Sequence, residues 1–170
     1  MVRIGVVGDT HRDTDLVTRA LGLLGALDLV LHTGDHYTDA RRISRELKAE
    51  VLAVVGNCDF NCSGPRERVI EVEGKRIYLT HGHLYGVKSG LLNLFYRGKE
   101  VEADLVVFGH THRAAQEEKE GIILFNPGSP SLPREKRPTM GLVTFEPGAI
   151  NTFIVDINSV LAGIDTSGLP

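Results

Sequence analysis

Short apolar runs alternate with amphipathic stretches along the first third of the chain. Val2–Val7 is a mainly apolar run closed by Gly8-Asp9, the pattern of a buried strand. Leu16, Val17, Ala20, Leu21, Leu24 and Leu27 then recur at helical spacing, which predicts a helix over Thr14–Leu27. Asp28–His32 is a second apolar run, closed by Thr33-Gly34-Asp35. Asp39–Lys48 reads as a second helix with Asp39 as its N-cap. Val51–Val55 reads as a third strand, closed by Gly56-Asn57. This β-α-β-α-β order predicts parallel strands joined by right-handed crossovers.

The rhythm then changes. Arg68–Glu73 and Arg76–Thr80, separated by Gly74-Lys75, read as a hairpin. Lys88–Tyr96 reads as a helix, with Leu91, Leu92 and Phe95 apolar, and Asp104–Phe108 as a buried strand. Ala114–Lys119 and Ile122–Asn126 form a second expected hairpin across Glu120-Gly121, followed by the turn-rich Asn126-Pro127-Gly128-Ser129-Pro130. Met140–Glu146 and Ile150–Asp156 pair around Pro147-Gly148. The expected fold class is α/β: two mixed β-sheets packed as a sandwich with helices outside. One domain is expected over residues 1–157, with an aperiodic appended tail over 158–170.

Composition narrows the function. The 170 residues are 42% hydrophobic and 24% charged, which fits one globular domain and excludes a disordered, collagenous or coiled-coil chain. No apolar run approaches the ~20 residues of a membrane helix. Met1-Val2-Arg3-Ile4-Gly5 enters a strand without a signal-peptide pattern, so a cytoplasmic location is expected, with no membrane partner. A net charge of −3 argues against stable nucleic-acid binding. Cys58 and Cys62 are expected as reduced thiols, because a lone C-x3-C is a weak zinc signal and the cytoplasm is reducing. The seven histidines matter for where they fall.

Ligands of open α/β sheets bind beyond the carboxyl ends of the strands. There this sequence places Asp9-Thr10-His11, Gly34-Asp35, Gly56-Asn57, His81-Gly82-His83 and Gly109-His110-Thr111-His112. Each fragment alone is ordinary; their joint placement at successive strand ends is not. Mixed carboxylate, imidazole and amide ligands suit borderline divalent ions. Seven candidates exceed one closed four-ligand site and suit two ions sharing a carboxylate, the clamp used in phosphoryl hydrolysis.

In that order, these fragments resemble the calcineurin-like metallophosphoesterase superfamily. Gly56-Asn57-Cys58-Asp59, Thr80-His81-Gly82-His83 and Asn126-Pro127-Gly128-Ser129 resemble its small bacterial and archaeal phosphodiesterase branch. The likeness runs from Val2 to about Ile157 and implies a four-layer αββα sandwich. It implies that Asp9, His11 and His112 hold one ion, that Asn57, His81 and His110 hold a second, and that Asp35 bridges them. The implied cofactors are two divalent metal ions, with Mn2+ favoured over Fe2+, Ni2+, Co2+ or Zn2+. The implied activity is phosphodiester hydrolysis by a metal-bridging hydroxide, assisted by Asn57, with a small-molecule or nucleotide diester as substrate. The alternative is a non-catalytic metal-binding scaffold or regulator of the same fold.

Cys58 stands where many members of the superfamily carry a histidine that protonates the leaving group. A thiol is a poor acid for that purpose, so diesters with good leaving groups are the expected substrates. His83 is a candidate to compensate, against a role in orienting a ligand. His32 is expected in the core and His36 on an exposed loop. Arg113 reads as a surface salt bridge or a phosphate-steering group, and Arg134, Lys136 and Arg137 as a solvated basic loop. Leu91–Tyr96 offers a homodimer face or core packing.

Overall fold

Strand β1 (Val2–Val7) is buried because its alternate residues serve two cores. Ile4 and Val6 join Leu29, Leu31, Ile77, Leu105, Val107, Phe125, Val143 and Phe145 between the sheets, while Val7 faces a layer of helices. The computed structural model describes residues 1–163.

One sheet contains β1, β2 (Leu29–His32), β3 (Val51–Ala53), β9 (Thr139–Glu146) and β10 (Ala149–Asp156), in the order β10-β9-β1-β2-β3. The other contains β4 (Glu67–Val72), β5 (Lys75–Thr80), β6 (Leu105–Val107), β7 (Ala114–Lys119) and β8 (Ile122–Pro127), in the order β4-β5-β6-β8-β7. Parallel strands occupy the middle of each sheet: β1-β2-β3 in the first and β5-β6-β8 in the second. Helices α1 (Thr14–Gly22), α2 (Asp39–Leu47) and α4 (Ile157–Leu161) share the outer core of the first sheet, through residues such as Val17, Leu21, Ile43 and Val160. Helix α3 (Leu92–Glu100) covers the second, through Leu94 and Phe95. The expected αββα sandwich is therefore present.

The departures are local and have physical causes. The α3 helix begins four residues after its expected start, beyond Gly90, whose φ of 154° lies outside helical geometry. It then runs through Gly98, where a Cβ would meet Val106 Cγ2 at 2.8 Å. Gly98 therefore lets the helix lie close on β6, a tertiary gain that outweighs poor helix propensity. Leu92 and Tyr96 of α3 stay exposed while Leu94 and Phe95 enter the core. The α1 helix ends at Gly22, well before Leu27, yet Leu24 is still buried from the following turn. Asp39 is the first residue of α2 rather than its cap; its carboxylate is engaged by the Thr10 hydroxyl and the Arg12 amide instead. The segment read as an appended tail begins with α4, whose Ile157 and Val160 are buried and whose cap is the Asp156 side chain. Residues 164–170 of that expected tail lie outside the described residues.

Phe125 is fully buried between the sheets. Phe125→Ala is expected to cost about 3–5 kcal/mol. Chemical denaturation should show this as a lower midpoint at an unchanged slope.

Candidate metal centre

The five loops at the carboxyl ends of β1, β2, β3, β5 and β6 meet at one edge of the sandwich. Their backbone is unusual. Asp9 (φ 50°), His11 (44°), Asp35 (55°), His110 (70°) and His112 (56°) all lie in the left-handed region. That region costs a non-glycine residue energy and is enriched in Asp, Asn and His. Here it turns each side chain off its strand axis and back toward the shared edge. Gly56 completes the approach: a Cβ there would lie 2.1 Å from Asp35 Oδ1.

Asp9, His11, Asp35 and His112 each offer a ligand atom, and these atoms lie within 4.8 Å of one another. Asp9 is fully buried, and its Oδ2 accepts from the His110 amide at 3.0 Å. Its Oδ1 lies 3.1 Å from His112 Nε2, but the pair is not aligned as a hydrogen bond. His112 Nδ1 donates to the Leu132 carbonyl at 2.7 Å, which leaves the Nε2 lone pair facing Asp9 in the neutral ring. Contact with Asp9 raises the pKa of His112. His11 Nε2 is buried with no partner, and burial, then repulsion from His36 and His112, lowers its pKa.

A second set forms beside it. His81 Nδ1 donates to the Thr33 carbonyl at 2.9 Å, so the Nε2 of the neutral ring carries a lone pair. That Nε2 faces Asn57 Oδ1 at 3.1 Å and Asp35 Oδ1 at 3.5 Å. The His110 ring sits 5.0 Å from His81, and its pKa is pushed down to about 4 by burial, with His81 and Lys88 adding repulsion. Two unpartnered buried atoms, Asp9 Oδ1 and His11 Nε2, and a facing set of acceptors call for positive charge at this edge. Carboxylate, imidazole and amide donors at close range fit divalent cations. Of the seven residues expected as ligands, the structure thus brings Asp9, His11, Asp35 and His112 within ligand reach of one another, sets His81 against Asn57 and Asp35, and puts the His110 ring beside that of His81.

Comparison with known proteins places the chain. Residues 2–148 match the model of the calcineurin-like phosphoesterase superfamily domain. The chain is 36% identical over 153 residues to a probable metallophosphoesterase, YsnB, of Bacillus subtilis, covering 89% of each chain. It is 37% identical over 164 residues to the phosphodiesterase YfcE of Escherichia coli, covering 81% of this chain and 84% of that one. It resembles the structure of a predicted phosphoesterase from Streptococcus pneumoniae with a TM-score of 0.79 and 28% identity, over 92% of this chain and 90% of that one. The chain belongs to the calcineurin-like phosphoesterase superfamily. That makes it a metal-dependent phosphoesterase by family.

How this phosphoesterase holds its loops is visible in a buried polar frame. The Gly34 amide donates to His32 Nδ1 at 3.1 Å, and His32 Nε2 lies 3.2 Å from Thr10 Oγ1. The Thr10 hydroxyl in turn donates to Asp39 Oδ2 at 2.6 Å. His32 is in the core, as expected, and there it ties the Asp9 loop to the Asp35 loop. Asp59 accepts from the amides of Tyr37 and Gly56, both at 2.8 Å, and so ties the Asp35 loop to the Asn57 loop. Asn126 donates to the Gly109 carbonyl at 3.0 Å, and Ser129 donates to the Asp9 carbonyl at 2.9 Å. These hydrogen-bond partners are not apparent from the sequence, where residues 126–130 signal a turn and a family resemblance.

His36 is half-buried at the rim, with its ring 4.9 Å from His11, rather than on an exposed loop. Cys58 and Cys62 are free thiols. Cys58 is exposed, its amide donates to Asp35 Oδ1 at 2.8 Å, and its thiol pKa is pushed up to about 11, by desolvation first and Asp35 second. His83 is half-buried with Nδ1 unpartnered, 5.3 Å from the His81 ring, and burial lowers its pKa. Arg113 makes no salt bridge among the described residues, while Arg137 pairs with Asp156 at 3.2 Å.

Burial holds His32 neutral, with its pKa pushed down to about 4. The unfolded ring titrates near ~6.5, so below that pH the unfolded state takes up the proton first. Stability that is complete above pH 6.5 should therefore fall toward pH 4, by up to roughly 3 kcal/mol from this group. Denaturation of metal-free protein across that range should show the slope. His32→Asn, which keeps an acceptor for Gly34, should flatten it; an unchanged slope would assign it to other groups.

Proposed function

We propose that the chain hydrolyses phosphodiesters with two divalent cations. One would be held by Asp9, His11 and His112, the other by Asn57, His81 and His110, with Asp35 between them. The observation that carries the reading is the convergence of the Asp9, His11, Asp35 and His112 ligand atoms within 4.8 Å, beside the His81–Asn57 acceptor pair. Such cations supply positive charge for the phosphoryl oxygens and bring the pKa of water down to roughly 7. Mn2+ is the ion that the family resemblance favours, among the borderline divalent ions that such ligands suit. No helix among the described residues is long and apolar enough to cross a membrane, and we take the protein to act in the cytoplasm.

The protein groups then have distinct roles. The Cys58 amide fixes one Asp35 oxygen, so the bridging carboxylate is oriented by main chain rather than by a mobile side chain. The Thr33 and Leu132 carbonyls fix the tautomers of His81 and His112. Asn57 presents its oxygen to His81 and its amide nitrogen toward Cys58 Sγ at 3.5 Å. The substrate oxygens would meet that amide and the nearby main-chain N–H groups. Cys58 keeps its proton too tightly to help a poor leaving group depart. His83, whose pKa burial lowers, would steady the His81 and His110 rings beside it.

Metal-stripped protein should hydrolyse bis-p-nitrophenyl phosphate only after Mn2+ is added. Asp35→Asn should reduce that turnover by at least ~100-fold and weaken Mn2+ binding measured by calorimetry. If folded protein shows no turnover with Mn2+, Ni2+, Co2+ or Zn2+, the enzyme reading falls and the non-catalytic scaffold takes its place.

Cys58→His should speed hydrolysis of diesters with poor leaving groups by about 10-fold or more, and change p-nitrophenyl esters little. Equal rates for variant and parent on alkyl diesters would show that position 58 does not limit leaving-group departure.

A further inference from the structure

A cleft of roughly 500 Å3 opens beside the loop that carries His110 and His112. Phe108, Thr111 and Arg113 line it, alternating along the loop with His110 and His112, which face the metal centre. Arg134 also lines it, and its amide donates to the His112 carbonyl at 2.9 Å, so this wall is hydrogen-bonded to a ligand residue. Lys88 lies across the cleft, near enough for its charge to be felt by the His110 ring.

Its chemistry is two-sided. Val87, Leu91 and Phe108 give an apolar floor, and Val87 and Phe108 are themselves packed into the core of the second sheet. Lys88, Arg113 and Arg134 give a cationic rim, and among the described residues none of their side chains pairs with a carboxylate. In a protein of net charge −3, these three cationic groups make the cleft locally attractive to an anion. The volume suits one arm of a small ligand. It offers no long basic track for a nucleic-acid backbone.

The geometry points to a second phosphate-binding subsite: the cleft takes the arm of a phosphodiester that carries another phosphate beside an apolar body. The second phosphate would lie on Lys88, Arg113 and Arg134, and the body on Val87, Leu91 and Phe108. This rests on the hydrolase reading above, because it is the scissile phosphorus at the metal centre that delivers the arm to the cleft. Guanidinium groups bind phosphate oxygens through paired N–H donors, which gives direction as well as charge. A nucleoside ring or an aliphatic chain can each supply the body.

In Mn2+-loaded full-length protein the metal centre holds one phosphate while the cleft is open to the other. Thymidine 3′,5′-bisphosphate is expected to bind at least ~10-fold more tightly than thymidine 5′-monophosphate at low salt. The Arg113→Gln/Arg134→Gln double variant should abolish that difference. Propane-1,3-diol bisphosphate, compared with its monophosphate, tests an aliphatic arm. A gain on either arm supports the subsite, and the tighter bisphosphate identifies the body. Turnover of p-nitrophenyl thymidine 5′-phosphate, with and without a 3′-phosphate, should show the same ratio in kcat/KM, carried mainly by KM. Equal binding of bisphosphates and monophosphates, or a difference that survives in the double variant, overturns the subsite. If bis-p-nitrophenyl phosphate is still hydrolysed in that case, the hydrolase reading stands alone. If the binding difference is present but no metal supports turnover, the phosphate cleft stands and the hydrolase reading falls.

Discussion

The rings of His81 and His112 each give their Nδ1 proton to a main-chain carbonyl, Thr33 and Leu132 respectively. In the neutral rings that choice sets both Nε2 lone pairs toward oxygens that are themselves acceptors, Asn57 Oδ1 and Asp9 Oδ1. Lone pairs facing lone pairs repel, and Asp9 and His81 are themselves buried away from water. Positive charge among them relieves the repulsion. The arrangement is costly without cations and stabilised with them, so metal binding and local stability are linked at this edge.

The rest of the architecture exists to hold that arrangement. Donors and acceptors contributed by His32, Asp39, Asp59, Asn126 and Ser129 join loops from different strands, and Asn126 and Ser129 bridge the second sheet to itself and to the first. Each of these polar groups is buried or half-buried and paired, so it constrains geometry without the desolvation penalty of an unmet donor. The inner core beneath, from Ile4 to Phe145, supplies rigidity but no direction. Direction comes from the hydrogen-bonded frame, and it is this frame that brings carboxylates and imidazoles from residues a hundred positions apart within reach of one another.

Much of this is legible in the sequence, and the parts that are not share a cause. Strands such as Val2–Val7 and the hairpin turn at Glu120-Gly121 announce themselves by local pattern, and so do the strand-end fragments Gly34-Asp35 and Gly109-His110. The α3 boundaries do not, because Gly98 reads locally as a helix breaker while its value lies in contact with Val106. Leu24 misleads in the opposite sense: it keeps helical spacing past the end of α1 because the turn still buries it. Thr10, Asp39 and Ser129 form bonds to partners 29 to 120 positions away, which no window of neighbours contains. The role of His32 as a brace is hidden for the same reason: its partners, Gly34 and Thr10, lie on two different loops.

The left-handed backbone at Asp9, His11, Asp35, His110 and His112 links these observations. An extended strand alternates its side chains between the two faces of its sheet, and there they would enter the inner core or the helix layer. Turning the backbone just after the strand sends them along the strand direction, into the space at the edge. The conformational cost falls on residue types that tolerate it best, and the hydrogen bonds from Gly34, Gly56 and His110 amides to His32, Asp59 and Asp9 help to hold it. The same loops leave room on their outer side, where Thr111 and Arg113 alternate with the inward-facing histidines. A single backbone device therefore gives one loop two faces, one toward the clustered carboxylates and imidazoles and one toward the cleft that Thr111 and Arg113 line.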